Sequence, residues 1–544
     1  MFKYAALQNI NYDSLQLNHN ALEHEQQGRS TPRSLQLQCC AALCEQGGTA
    51  AAEALSSVPS HLAPVLLQEA MMSVYTSAIA NIIANWPLPT LCFREVLCDV
   101  SKRDVFDEEM GLNVMLFKGI TSRTKKCQLK TLDLRGLTLN WNFTKLIVQM
   151  WPLLSLKKTQ RNVKRLTNII IKTAGLKRDN RLAKETIPKI LEELLNHDMA
   201  KHPAFTMHIA KGARVVVKLD YLEFSTQNNF FMEYLLANCL RSVTPLTIEP
   251  ANIIIKSDLN VGDQILESIA PFIVFRGQDP NSLEGIWLEN LEDNVFFVTC
   301  QDLEAFNNMT ALAFPNCNIM LQEGRTRCRT STRVQFTNML SHFSQLTRLD
   351  LSQNSFAGCL REVLDALVCP LKYLSLRECD LIDRDIIELA RSRHSTSLRH
   401  LDLSRICGLI PDDPFAVSTV MLLRNMRYFS SLSVVHLQQN QITDSNVDQL
   451  CQLLTEHWHK LKSFNITQNI LSGDSVLRIV QVCSRTSIHH LRLPYLHNFL
   501  ENFDIFQNAC EDFSRQVKDV LKRCGRSDVE VQVCGLPYAV FGHV

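Results

Sequence analysis

Residues 346–354 read LTRLDLSQN, and residues 371–379 read LKYLSLREC. Aligned on their first leucine, they share Leu346 with Leu371, Leu349 with Leu374, and Leu351 with Leu376. They close on Asn354 and Cys379, and their starts are 25 residues apart. Outward from this pair the template LxxLxLxxN/C returns as Leu432, Val435, Leu437, Asn440 and as Leu461, Phe464, Ile466, Asn469. Met309, Leu312, Phe314 and Cys317 fill it with conservative replacements. Weaker units keep the apolar positions but lose the Asn or Cys, starting at Leu283, Leu398, Ile488 and Leu129. VVVKLDYLEF (215–224) and PLTIEPANIII (245–255) are two further candidates.

Each template position has a physical reason. The central LxL is a short strand whose leucines point into a core, while the residues between them point to the other face. The Asn or Cys follows the strand, where a buried side-chain donor can satisfy loop carbonyls that no ladder reaches. Its loss at Ile406 and Leu496 predicts a local irregularity. The remainder of a repeat has room for a helix. Val447, Leu450, Cys451 and Leu454 fall at i, i+3, i+4, i+7. Ser445 with Asp448 reads as the capping box of that helix. Ile386, Leu389 and Ala390 give a shorter stripe. The fold class is therefore α/β: a leucine-rich-repeat solenoid, a horseshoe of the ribonuclease-inhibitor type with strands on the concave side. An ordinary doubly wound sheet is the alternative, but such sheets do not repeat a side-chain template.

The ends differ from the middle. Residues 1–30, rich in Asn, Gln and His, read as a disordered tail. Residues 31–100 read as a helical segment without repeats, 127–496 as the solenoid (irregular between 140 and 280), and 497–544 as a C-terminal cap. In the cap, NACEDFSRQVKDVLKRCG reads as a helix and VEVQVCG as a strand. Lys157, Lys158, Arg161, Lys164 and Arg165 open a basic stretch interleaved with Leu166, Ile169 and Ile170. A solvated helix face is favoured over a nuclear-localisation or phosphate-binding patch.

A net charge of +1 gives no global field to draw nucleic acid or a membrane surface. The N-terminus lacks a signal-peptide core, and no apolar run reaches the roughly 18 residues of a membrane span. The 19 cysteines lack regular spacing, and Cys451 and Cys483 fall inside apolar helical patterns, so reduced thiols in an intracellular protein are expected. No GxxxxGK[S/T], GxSxG, HExxH, GxGxxG or CxxC motif occurs. The His457/His459 and His489/His490 pairs adjoin repeat strands, where surface placement explains them. No catalytic residue, metal or cofactor is expected.

The order of parts resembles the PRAME and leucine-rich-repeat-containing protein 14 family. VPSHLAPVLLQEAM…NWPLPTLCFREVL is similar to that family's helical signature LPxxLxPxLxxxAF…WPxPxLxxxxL. LKTLDLRGL looks like its first repeat, and FTNMLSHFSQLTRLDL…GCLREVLDALVCPLKYLSLRECDL like its central repeats. The resemblance implies a substrate receptor of a cullin-2 ubiquitin ligase, joined through elongin B and elongin C, with other subunits carrying the chemistry. It equally allows a non-ligase inhibitor or scaffold of NF-κB signalling, or a transcriptional corepressor. It places the chain in the cytoplasm, with a nuclear share as the alternative.

The elongin-binding box of such receptors is [S/T/P]-L-x-x-x-C-x-x-x-[A/I/L/V], and Ser34, Leu35, Cys39 and Leu43 match it. The last three lie four apart, one narrow helical stripe. Pro87, Leu88, Cys92 and Val96 match as well. Only the first match is followed within 50 residues by the cullin-contacting pattern Φ-P-x-x-Φ, as Val58, Pro59 and Leu62. The target would lie on the concave face. Its read-out residues are Trp287, Asp350, Tyr373, Arg377, Asp402, His436, Asn465 and Arg492, with Ser375, His400 and Gln438 among them. That mixture suits a protein partner better than a small-molecule pocket or nucleic acid.

Overall fold

The computed structural model describes residues 35–96, 115–136, 160–173, 187–192, 214–224, 234–256, 281–290, 303–408, 416–494 and 503–533, with short gaps inside several of these stretches. The chain divides into two compact units, meeting in sequence between Glu284 and Gly285.

The first unit opens with helices α1 (Leu35–Glu45), α2 (Gly48–Ser57), α3 (Ala63–Met72) and α4 (Thr76–Ala84). Leu55, Leu66, Leu67, Ile79, Ile82 and Ile83 form their common core. Gly47, at φ 105°, takes the left-handed turn between α1 and α2 that a side chain would strain. Gly48 lets α2 begin against α4: a Cβ there would sit 2.6 Å from the Ser77 carbonyl oxygen. Strand β1 (Thr90–Cys92) and the short α5 (Phe93–Val96) follow, then β2 (Thr131–Asp133), α6 (Gln160–Thr173), β3 (Val215–Phe224) and β4 (Leu246–Lys256). All three pairings, β1–β2, β2–β3 and β3–β4, are parallel. The array thus begins at Thr90, inside the segment read from sequence as wholly helical. Leu91 pairs with Leu132, so β1 already places a core leucine in the ladder that Leu129 was expected to open. A three-residue strand leaves too short a pattern to separate from helix. Both degenerate candidates are strands, the longest of the unit.

The second unit contains β5 (Gly285–Glu289), β6 (Ala311–Ala313), α7 (Thr330–His342), β7 (Arg348–Asp350), α8 (Leu360–Ala366), β8 (Tyr373–Ser375), α9 (Asp383–Arg391) and β9 (His400–Asp402). It continues through α10 (Thr419–Asn425), β10 (Val434–His436), α11 (Val447–Gln452), β11 (Ser463–Asn465), α12 (Gly473–Cys483), β12 (His490–Leu493), α13 (Phe503–Arg523) and β13 (Glu530–Val533). The strands pair in chain order and in parallel. Leu349, Leu374, Leu401, Val435, Phe464 and Leu491 stand in one register row, and all are buried. Identical template positions therefore stack on one another, which is what makes the unit an α/β leucine-rich-repeat solenoid. The cap continues this order: Glu530–Val533 pairs with β12.

The closing Asn and Cys act as the template requires. Asn354 donates through Nδ2 to the carbonyls of Phe314 at 2.7 Å, Leu351 at 2.8 Å and Ser352 at 3.0 Å. Its Oδ1 accepts from the amides of Cys317 and Ile319 in the preceding repeat. Asn440 and Asn469 repeat the arrangement with Leu403 and Leu437, while the Cys379 thiol reaches only the Leu351 and Arg377 carbonyls. At Ile406, where the template residue is missing, Asn440 Oδ1 takes the amides of Ile406 and Cys407. Leu496 lies outside the described residues.

The stripe Val447, Leu450, Cys451, Leu454 is buried, as is Ile386, Leu389, Ala390. The capping box differs from expectation. It is made by Thr443, whose amide donates to Asn446 Oδ1 at 3.0 Å, around a 3-10 turn at Asp444–Asn446 that precedes α11. Two acceptable caps stood two residues apart in sequence, and the turn geometry selected the earlier one. In α6, Leu166 and Ile170 are buried while Lys164 and Arg165 are exposed, the arrangement of a solvated basic face. Lys157 and Lys158 lie outside the described residues.

Candidate protein-docking surfaces

Helix α1 has two unlike faces. Cys40 and Cys44, four apart, are buried, and the Cys44 thiol points at the Leu66 carbonyl of α3. Burial pushes the Cys44 thiol up to about 11, with Cys40 and Glu69 adding in the same direction, so it stays a protonated, small apolar group. Tyr75 donates its hydroxyl to Glu45 Oε1 at 3.3 Å, fixing the end of α1. The opposite stripe points away: Leu35 is 77% exposed, Cys39 is exposed and Leu43 is half-buried. Ser34 lies outside the described residues. Val58 ends α2 with its amide on the Ala54 carbonyl, Pro59 is exposed, and Leu62 closes a 3-10 turn half-buried. The second sequence match does not form a stripe. Leu88 sits in a bend, Cys92 ends β1, and Val96 is buried in α5.

The strand face of the second unit departs from the expected exposed read-out. Of the residues assigned to a target, Trp287, Asp350, Tyr373 and Asn465 are buried. Asp402, His436 and Arg492 are half-buried, and of these residues Arg377 alone is exposed. The reason is lateral. Parallel strands lie about 4.8 Å apart, so side chains at one register position cover each other even with no layer above them. The Tyr373 and His400 rings are 4.5 Å apart between centroids, the His400 and His436 rings 5.1 Å, and the Arg348 guanidinium lies 5.4 Å from the centre of Tyr373. Trp287 donates to Glu289 Oε2, and Asn465 Oδ1 accepts from the Thr467 amide and hydroxyl.

Charges on this face are placed unequally. Burial raises the Asp350 carboxyl to about 6, although the Ser352 amide and hydroxyl both donate to it. Burial alone would raise Asp402 too, but His436, with Nδ1 at 3.6 Å, and Ser404 pull it down to about 2. Burial, then the neighbouring His436, holds His400 well below the usual histidine range. At the C-terminal rim, Glu378 binds Arg377, Arg405 and Gln353 from three successive repeats. Of these, Arg377 was read from the sequence, whereas Gln353, Glu378 and Arg405 carried no signal there. Gln353, Glu378, Arg405, Gln439 and Gln468 all adopt positive φ, between 54° and 59°. That conformation costs a side-chain-bearing residue about 1 kcal/mol. It lets their amides reach the next repeat, as Gln353 to the Arg377 carbonyl and Glu378 to that of Ser404.

Residues 307–533 match the family described as PRAME C-terminal domain. Along more of its length the chain is similar to leucine-rich repeat-containing protein 14 of Xenopus laevis, 23% identical over 83% of this chain and 84% of that one. The chain's repeats thus resemble the PRAME C-terminal domain, and most of its length resembles leucine-rich repeat-containing protein 14. The human protein of the same name is 27% identical over 22% of this chain and 24% of its own. Among solved structures, the leucine-rich repeat-containing protein LegL7 of Legionella pneumophila covers 56% of this chain and 91% of its own, at 14% identity and a TM-score of 0.34. The fold assignment stands on the strand register. The similarity and the stacked repeats together point to a repeat surface suited to protein contact. Among the described residues no group of three or more His, Cys, Asp or Glu could hold a metal ion, and no helix is long and apolar enough to cross a membrane. His489 and His490 instead face Asp528 at 3.1 Å and Glu530 at 2.9 Å.

Proposed function

We propose that the chain is the substrate-recognition subunit of a cullin-2–elongin B/C ubiquitin ligase. Helix α1 docks on elongin C through Leu35, Cys39 and Leu43, Val58-Pro59-Leu62 contacts cullin-2, and the repeats of the second unit hold a target protein. The observation carrying this reading is the exposure of Leu35, 77%, on a helix whose other face is anchored by Cys40 and Cys44. A leucine in water on a helix anchored by its opposite face is a group suited to a partner's pocket. The small Cys39 beside it allows a second helix to approach. The subunit would bring target lysines near the transferring enzyme, an effective-concentration role.

The test is co-purification from cells. Leu35→Ala with Cys39→Ala removes about 2 kcal/mol of apolar burial at the contact, so elongin capture should drop at least tenfold with thermal stability unchanged. Pro59→Ala with Leu62→Ala should lower cullin-2 capture and spare elongin. Wild-type chain that brings down neither elongin nor cullin-2 would leave the non-ligase scaffold as the better account.

A further inference from the structure

Strands β8 and β9 are framed by four cations that the docking helices do not involve. Lys372 and Arg399 immediately precede the two strands and are exposed, and the Arg399 amide donates to the Lys372 carbonyl at 2.9 Å, so they are neighbours. Arg377 and Arg405 follow the strands with side chains 47% and 45% exposed. Both guanidiniums hold one and the same oxygen, Glu378 Oε1, each at 2.9 Å. That carboxylate is only 20% exposed, and its other oxygen is taken by Gln353 at 3.1 Å. One recessed acid therefore serves two outward guanidiniums. Between the two rows lie His400 and His436, with Asp402 facing His436. Asp380, on the loop after β8, is the exposed acid nearby in sequence. The composition of the face shows both signs, but the fold recesses Asp350, Asp402 and Glu378 and leaves the cations outermost.

We propose that this frame of Lys372, Arg377, Arg399 and Arg405 binds an acidic segment of the target protein. The proposal rests on the reading of the repeats as the target-holding surface and names the chemistry of that target. Guanidiniums already fixed on a carboxylate keep their fork geometry and meet an incoming carboxylate with little reordering. Asp350 couples the site to pH. It faces Tyr373 from β8, Arg377 from the turn after β8 and Asp402 from β9, while its partner in β6 is Ala313. As pH falls through about 6, Asp350 takes up a proton and the face loses a negative charge. Glutamates of the partner, ionising near pH 4.3, stay charged, so binding should tighten on acidification.

The experiment is fluorescence anisotropy of the full chain with a fluorescein-labelled poly-glutamate peptide. Poly-lysine and a single-stranded DNA serve as comparators, at about 50 mM salt and above. Poly-glutamate should bind, weaken with salt, and tighten severalfold between pH 7.5 and 5.5. Arg377→Gln with Arg405→Gln should weaken it at least tenfold. Lys372→Gln with Arg399→Gln, at exposed positions, is the second variant should the first fail to fold. Asp350→Asn should flatten the pH dependence. No poly-glutamate binding by wild type, or binding by both double variants as tight as wild type's, would overturn the proposal. Tighter binding of DNA than of the peptide would also overturn it and assign the face to nucleic acid. Elongin capture is scored separately. Its loss in wild type would defeat the ligase reading while leaving the peptide result standing.

Discussion

Template position nine shows how one side chain can set the stability of two repeats. Asn354 satisfies three carbonyls and two amides, and all of them are buried. Cys379, at the same position 25 residues later, offers one weak donor to two carbonyls. Leaving buried donors or acceptors unpaired costs about 1–3 kcal/mol each before relaxation or water entry. Asn354→Ala should therefore destabilise the second unit by about 3 kcal/mol, and Cys379→Ala by about 1 kcal/mol. Denaturant titration of each variant decides it; equal losses would mean that the Asn bonds contribute no more than a thiol does.

At the scale of elements, each helix is defined by which of its faces is covered. In α6 the buried Leu166 and Ile170 lie four apart, on the opposite side from the exposed Lys164 and Arg165. Ile170→Ala should cost about 2–4 kcal/mol through the cavity it leaves. Lys164→Gln with Arg165→Gln should change stability by less than about 0.5 kcal/mol and leave the protein's cellular distribution as it was. A shift of the double variant out of the nucleus would instead make the basic stretch a localisation signal. The same logic separates the faces of α1: its inner cysteines hold the helix down, and its outer Leu35 stays in water.

The largest scale at which order accumulates is the stacked array of the second unit, and its end needs protection. Parallel strand β13 covers the edge of β12, and α13 packs beside α12. Arg526 ties the cap down. Its guanidinium donates to the carbonyls of Thr486 at 2.5 Å and Ile488 at 2.6 Å, and pairs with Asp528. An uncovered edge strand is a template for pairing with another chain, and a solenoid without its cap exposes core. Deleting residues 503–533 should therefore yield a chain that self-associates, read by light scattering at micromolar concentration. Arg526→Ala should lower the midpoint of unfolding without aggregation. A deleted chain that stays monomeric with an unchanged melting temperature would show that the edge is protected in another way.

The repeat template, its strand positions and the closing Asn and Cys were legible in the amino-acid order. They depend on a local period that every repeat states again, from Leu346 and Leu371 to Ile488. The stripe of Leu35, Cys39 and Leu43 along α1 was legible as spacing, although which face of the helix stays in water was not. Other features followed from neighbours distant in sequence. Three-residue β1 became a strand because Leu132 stands beside Leu91, not because its own pattern demands it. Tyr373 and Asp350 left the solvent because His400 and Ser375 stand beside them from the next repeats. The left-handed turns at Gln353, Glu378 and Arg405 carry no residue signature at all. They exist because an amide in one repeat must meet a carbonyl in the next. Periodicity fixes what each repeat buries within itself, whereas exposure on the strand face is set by contacts between repeats, which no single stretch of the chain contains.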